Sequence, residues 1–311
     1  MGNYLVTGVA GFIGAAVASA LVKSGHSVVG LDNLSVGLEQ NVPADVKFVR
    51  GDCLDERVYA TTLSKESFEA VFHLAGQDND GYGPDGPTGD LRANAESTLR
   101  LLRFAEATGC PRLIYRSSMA VYGSQADEPV REDAPLNPDS FTGVSKLAAE
   151  HYLRLYESHG VSSTALRLFS VYGPSENRAS IRRSMLETFM DMMVRDGHIH
   201  VMGNPNRCRD FVYIDDVVQA FLACLDRPAS GGRVLNIGGS GKTMVGDVVD
   251  KLCALSTSPV TVEYSGYSSG EPSGNHADIS MAAKYLGYEA EVSLDDGLAR
   301  MYEWCRTVRQ V

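Results

Sequence analysis

The sequence predicts an α/β fold, a doubly wound parallel sheet with a smaller C-terminal domain, and three observations carry that expectation. The first half alternates short apolar runs with amphipathic stretches, a glycine-rich turn joins the first run to the first stretch, and the alternation breaks after Gly173-Pro174. Apolar runs of roughly four to eight residues suit strands buried on both faces, and a strict strand–helix alternation builds a parallel sheet with helices on either side.

Taken in order, Tyr4–Thr7, Ser27–Leu31, Val46–Arg50, Ala70–Leu74 and Arg112–Ser117 read as strands, with Thr164–Phe169 and Arg233–Ile237 to follow. Ile13–Ser24, Ala93–Thr108 and Gly143–His159 are amphipathic and read as crossover helices. Beyond Gly173-Pro174, Ser184–Asp196 reads as a Met-rich helix, and His200–Met202 and Phe211–Tyr213 as short strands. A helix from Asp215 to Asp226, a loop-rich Ser265–Asn275 and a final helix from Leu294 to about Val308 complete the chain. The expected division is a nucleotide-binding part over 1–173, to which 209–240 returns, and a substrate-binding part mainly over 174–311.

The turn reads Gly8-Val9-Ala10-Gly11-Phe12-Ile13-Gly14. Glycines there permit a tight turn, close approach of backbone to a pyrophosphate, and helix–strand contact, while the helix N-terminus faces the phosphates. Asp32 ends the next predicted strand, 18 residues beyond Gly14, where a carboxylate can take ribose hydroxyls. Asn33-Leu34-Ser35 supplies no arginine for a 2′-phosphate, so the pattern predicts a Rossmann-type site for NAD rather than NADP. Gly239-Ser240-Gly241-Lys242-Thr243 imitates the end of a P-loop, but Asn236 stands where that motif needs its first glycine, so a strand–turn–helix junction is expected.

Bulk properties narrow the function. A net charge of −11 disfavours nucleic acid and anionic membranes as partners. No stretch approaches the roughly 20 apolar residues of a membrane helix, and Tyr4-Leu5-Val6 follows the N-terminus with no basic leader. The six cysteines are scattered without metal-ligand spacing, which suggests buried, reduced thiols, a cytoplasmic protein and no metal site.

Further motifs follow in order: Gly51-Asp52-Cys53, Phe72-His73-Leu74-Ala75-Gly76, Asn94, Ser117-Ser118-Met119-Ala120-Val121-Tyr122-Gly123, Arg167-Leu168-Phe169-Ser170-Val171-Tyr172-Gly173-Pro174 and Arg209-Asp210-Phe211-Val212-Tyr213-Ile214-Asp215-Asp216. With these the chain resembles an extended short-chain dehydrogenase/reductase of the NAD-dependent epimerase/dehydratase family, over nearly its whole length. The resemblance implies that Gly8, Gly11, Phe12, Ile13, Gly14, Asp32, Asn33, Asp52, Cys53, Leu74, Ala75, Gly76, Asn94 and Lys146 hold NAD. It implies a nucleotide-sugar substrate, a UDP-sugar by preference, held by Ser118, Ser170, Arg178, Arg209 and Glu271, and a homodimer built on Ala93–Thr108 and Gly143–His159. His73 reads as a strand terminus and not as a base.

Departures from the family pattern are as informative. Where family dehydratases carry Asp and Glu after the Ser118 equivalent, this chain has Met119 and Ala120, which transfer no protons. Elimination and decarboxylation are therefore disfavoured, leaving epimerisation or simple redox. Ser170 replaces an asparagine, and Ser268 stands where an arginine clamp is expected, for which Arg178, Arg182 or Arg183 are the substitutes on offer. Most consequential is Asp139-Ser140-Phe141-Thr142-Gly143-Val144-Ser145-Lys146: the residue four before the lysine is normally a proton-transferring tyrosine, and here it is Thr142. The i,i+4 spacing puts both on one helix face, but an aliphatic hydroxyl is a far poorer acid than a phenol with its reference pKa of about 10.

The resemblance thus implies a nucleotide-sugar epimerase acting at C4 by transient oxidation, with Ser118, Thr142 and Lys146 at the reacting centre. A nucleotide-sugar dehydrogenase or ketosugar reductase is the alternative, as is a binding protein impaired by a Tyr-to-Thr change. The proton could pass through Thr142 as a relay, with Ser118, water or Tyr82 receiving it.

Overall fold

The computed structural model describes residues 1–311 except 79, 126–128, 175–183, 267–273 and 308–311. Its first half runs β1 Asn3–Thr7, α1 Phe12–Lys23, β2 Ser27–Asp32, β3 Lys47–Arg50, α2 Glu56–Thr61, β4 Ala70–His73, α3 Gly86–Asp90, α4 Ser97–Thr108, β5 Arg112–Ser118, α5 Phe141–Tyr156 and β6 Ser162–Leu168. Then come β7 Ser170–Tyr172, α6 Met185–Asp196, β8 His198–Met202, β9 Cys208–Arg209, β10 Phe211–Tyr213, α7 Ile214–Asp226 and β11 Arg233–Ile237. The chain closes with β12 Thr243–Met244, α8 Val245–Leu255, β13 Thr261–Ser265, α9 Ser280–Leu286 and α10 Leu294–Thr307.

Seven of these strands pair in parallel in the order β3-β2-β1-β4-β5-β6-β11. Alternate residues of each central strand enter opposite layers, as the two-residue period requires. Val6, Phe72, Ile114 and Leu166 pack with Val17, Leu21, Val217 and Phe221 of α1 and α7. Leu5, Val71, Leu113 and Ala165 pack on the other face with Leu101, Leu102, Ala149 and Leu153 of α4 and α5. The strands are apolar on both sides because both sides are covered.

A third core lies outside the sheet. Leu186, Met190 and Met193 of α6 meet Val248 and Leu252 of α8 and Leu298 and Met301 of α10, with β8 and β13 paired beside them. β11 nevertheless returns to the sheet edge on β6.

Two local differences from the expected elements bear on the site. The predicted helix at Ala93 begins as a π-helical turn over Leu91–Glu96, and Asn94 in that turn grips both backbone groups of Gln77. The wider turn re-aims one side chain into a neighbouring loop, a common role of π-turns. The Gly239–Thr243 segment is indeed a turn between β11 and β12, and its Gly239 and Gly241 amides both donate to Asp210 Oδ1, at 2.8 and 3.1 Å. Those two amides, the ones a phosphate would need, already serve a buried carboxylate.

Candidate active site

The strand order reverses between β1 and β4, and in open α/β sheets ligands bind above the carboxyl ends of strands at such a switch. A cleft of about 630 Å³ opens there. One wall comes from Gly8, Gly11, Phe12, Ile13 and Gly14 of the β1–α1 turn. The far walls come from Asp32 and Asn33 after β2, Asp52 and Cys53 after β3, Leu74 to Asp78 after β4, and Arg116 to Ser118 ending β5.

The turn is built for backbone contact. Gly8 has φ +71, and a Cβ there would sit 2.6 Å from the Ala75 nitrogen, so β4 closes directly against the turn. Helix α1 starts at Gly11 without a side-chain cap, leaving its first amides open toward the cleft. Asp32 accepts from Ala10 N–H at 2.9 Å through one oxygen and from Leu34 N–H at 2.8 Å through the other. A carboxylate has about four lone-pair sites, so Asp32 keeps capacity for ribose hydroxyls. Asp52 is held by Leu54 N–H and the Asn33 amide, at 2.8 and 2.9 Å, and Cys53 beside it is buried, its thiol pushed up to about 12 by desolvation and the neighbouring carboxylates.

Among the described residues lining the cleft, the cations are Arg92 and Arg116, and neither belongs to the β2 loop. These residues fit a dinucleotide whose adenosine ribose carries no 2′-phosphate.

Behind the β5 wall lies the pair singled out by sequence. Ser140 caps α5 through its hydroxyl and the Gly143 amide at 3.0 Å. Gly143 itself lies so close to the Ala120 carbonyl that any Cβ would overlap it, which seats the start of α5 against the turn that Ser118 caps. Lys146 is fully buried, and its Nζ donates to the Arg116 carbonyl at 3.0 Å. Burial, reinforced by the Arg116 guanidinium, pushes this ammonium down to about 7. Thr142 is 6% exposed; its hydroxyl donates to Asp90 Oδ1 at 3.2 Å and accepts from Asp80 N–H at 3.3 Å.

Of the residues expected in the site, Thr142, Lys146 and Asn94 therefore stand behind the cleft wall, while Ser118 lies on it. Gly76 marks the thinnest point: a Cβ there would lie 3.0 Å from Lys146 Nζ and 2.5 Å from Asn94 Oδ1. Ser170 pairs with Phe211 across β7 and β10, between the cleft residues Phe169 and Val171, and is not on the wall. Arg209 is set aside on β9, its Nη1 bonded to its neighbour's carbonyl at 2.8 Å. Arg178, Arg182, Arg183, Ser268 and Glu271 fall outside the described residues. His73 is buried between Thr7 and Thr98 hydroxyls, and desolvation takes it down to about 3, so it is neutral in this position.

The structure adds Arg116, Asp78 and Asp90, none of which sequence reasoning named. Arg116 Nη1 pairs with Asp78 at 2.8 Å at the cleft edge. Its signal was available: a charged residue directly after the apolar run Leu113-Ile114-Tyr115, near the C-terminal end of a strand. Asp90 gave no such signal, since it reaches Thr142 only through the packing of α3 on α5.

A model of the NAD dependent epimerase/dehydratase family matches residues 4–238. The chain belongs to that family. UDP-glucose 4-epimerase of Mycolicibacterium smegmatis is 30% identical, with 98% of this chain and 99% of that protein covered. The UDP-glucose 4-epimerase of Thermotoga maritima, solved with UDP-glucose, superposes with a TM-score of 0.90 at 31% identity over 99% of both chains. UDP-glucuronic acid 4-epimerase of Bacillus cereus, solved with UDP-glucuronic acid and NAD, gives 0.87 at 30% identity over 98% of this chain and 99% of that one. The family is thus supported from end to end, through the third core as well as the sheet.

Proposed function

We propose that this chain is an NAD-dependent UDP-sugar epimerase that inverts C4 through a transient keto-sugar. One observation carries the reading: a single cleft joins the glycine turn and Asp32 at one end to Ser118 at the other, in a chain similar over its full length to UDP-sugar 4-epimerases. Gly8, Gly11, Phe12, Ile13 and Gly14 would hold the pyrophosphate of NAD, Asp32 and Asn33 the adenosine ribose, and Asp52 and Cys53 the adenine. Leu74, Ala75 and Gly76 would run beside the nicotinamide half, with Asn94 and Lys146 behind them. When bound, NAD supplies a hydride acceptor that also returns the hydride. Ser118 orients the reacting hydroxyl, and Met119 and Ala120 keep proton donors for water elimination out of the sugar end. Residues 1–173, with the segments over about 209–240, then form the cofactor half and 174–311 mainly the sugar-nucleotide half. Ser118 on the wall and Arg178, Arg209 and Glu271 are the proposed substrate contacts, with Ser170 between the cleft residues Phe169 and Val171.

The protein incubated with NAD and with UDP-glucose or UDP-glucuronic acid should yield the C4 epimer by proton NMR, with no net accumulation of reduced cofactor. Oxidised sugar formed in step with NADH would make it a dehydrogenase. Binding of NAD and UDP-sugar with no turnover would make it a binding protein.

Assembly as a homodimer through α4 and α5 belongs to the same proposal. Leu91 ahead of α4, and Phe141, Val144 and Leu155 of α5, are exposed apolar residues. Large exposed apolar residues sharing one surface mark interaction sites. Sedimentation should give twice the chain mass, and Val144→Glu with Leu155→Glu should return it to the monomer; a monomeric unaltered protein rules the dimer out.

A further inference from the structure

An epimerase of this kind must take a proton from the sugar hydroxyl, and threonine cannot do so alone. A hydroxyl nucleophile or relay needs an adjacent base. The other titratable groups nearby are committed, Asp80 among them, whose Oδ1 accepts from Phe141 N–H at 2.8 Å. Glu150 is locked in two hydrogen bonds to Arg167, at 2.9 and 2.7 Å, and Asp78 is paired with Arg116. His73 is bonded to Thr7 and Thr98, and Lys146 donates to the Arg116 carbonyl.

Asp90 differs from all of these. It is 1% exposed, and among the described residues its carboxylate meets an amide and a hydroxyl and no cation within salt-bridge distance. Its Oδ2 accepts from Gly81 N–H at 2.7 Å, while Oδ1 accepts the Thr142 hydroxyl. Thr142 Oγ1 accepts one amide, so one acceptor lone pair remains on it. The pair stands directly behind the cleft wall: Gly89, just before Asp90, lines the cleft, and Gly143, just after Thr142, abuts the turn capped by Ser118.

Resting on the epimerase reading, the geometry points to a proton relay from the sugar hydroxyl through Thr142 Oγ1 to Asp90 Oδ1. The sugar O–H bond breaks as an O–H bond forms at Thr142. Thr142's own proton passes to Asp90, which turns from carboxylate to neutral carboxyl. The C4–H electron pair leaves as hydride to a nicotinamide oxidant, closing the carbonyl, and the return step reverses every transfer. Asp90 acts only through Thr142 and is a positioning residue in that sense.

The test uses Asp90→Asn, in which an amide oxygen can still accept from Gly81. It should lower kcat at least about 1,000-fold while KM, NAD affinity by calorimetry and melting temperature stay within a few-fold or a few degrees. Thr142→Val should fall equally far, the double variant no further, and Thr142→Ser should keep at least about a tenth of kcat. In the cofactor-free protein, the ¹³Cγ resonance of Asp90 should move on Thr142→Val. Turnover that survives Asp90→Asn, an unmoved resonance, or a loss of kcat matched by equal losses in NAD affinity and melting temperature overturns the relay and leaves the epimerase reading standing. No turnover by the unaltered protein with any UDP-sugar overturns that reading and the relay together.

Discussion

Gly14→Ala should weaken NAD binding by about 100-fold or more and also destabilise the cofactor-free protein, whereas Gly11→Ala should weaken binding alone. A Cβ on Gly14 would overlap the Gly8 carbonyl oxygen and come within 2.6 Å of its carbon and 3.0 Å of Val9 Cα. All of these are backbone atoms, so nothing flexible can give way, and α1 has to move off the turn. Overpacking of that kind costs about 1–3 kcal/mol. The displaced helix carries away the open amides that face the pyrophosphate, and a fall in affinity of at least about 100-fold, near 2.7 kcal/mol, is expected. At Gly11 the added Cβ meets only the Gly8 carbonyl oxygen, at 3.3 Å, and the backbone there is extended at φ −82, ψ 170. The methyl then intrudes on the cleft without straining the fold, for a loss of about tenfold or more. Calorimetric titration with NAD alongside denaturant melts of the cofactor-free proteins separates the two variants. Native-like binding by Gly14→Ala would remove the glycine turn from the cofactor site.

The second large effect concerns stability. Glu150 and Arg167, on α5 and β6, form a buried two-point ion pair, at 2.9 and 2.7 Å, with Arg167 2% and Glu150 7% exposed. The Ser117 hydroxyl also donates to Glu150, and the guanidinium lies over the Tyr122 ring at 4.7 Å. The pair therefore ties α5, β6 and the end of β5 together beneath Ser118. Glu150→Ala strips the guanidinium of its countercharge in a dry layer, and about 3–5 kcal/mol should be lost. Replacing both partners by methionine should recover much of that, because the penalty is the orphaned charge and not the missing attraction. Urea midpoints at constant m measure it. A Glu150→Ala protein within 1 kcal/mol of the unaltered chain, roughly, would mean that water reaches Arg167.

The fold was legible because parallel strands covered on both faces are apolar runs, and the glycine turn fixes the first crossover. Phe211–Tyr213 and Arg233–Ile237 come out as expected, and Tyr4–Thr7 and Ser27–Leu31 each gain one residue in the ladder. α8 is the helix expected after the Gly239–Thr243 turn, without bounds from the sequence reading, and Val245, Val248, Val249 and Leu252 carry its i, i+3, i+4, i+7 spacing. β13 was not read from the sequence, which placed a loop from Ser265 onward; its residues are exposed or half-exposed and pairing with β8 defines it. The cofactor wall was likewise readable: the turn, Asp32, Asp52, Cys53 and Leu74 to Gly76 follow successive strands, and every such strand end points to one edge.

What the sequence determined by itself was the sheet, the glycine turn, the preference for NAD and the absence of tyrosine before Lys146. Those are local facts, set by period, composition and short spacing. Only the tertiary structure decided what surrounds Thr142. Asp90 is 52 residues away in the chain, and Arg116 is 30 from the lysine whose ammonium its carbonyl holds. Such contacts arise from packing α3 and β5 against α5, and no pattern along one strand or one helix records which side chains two separate elements bring together.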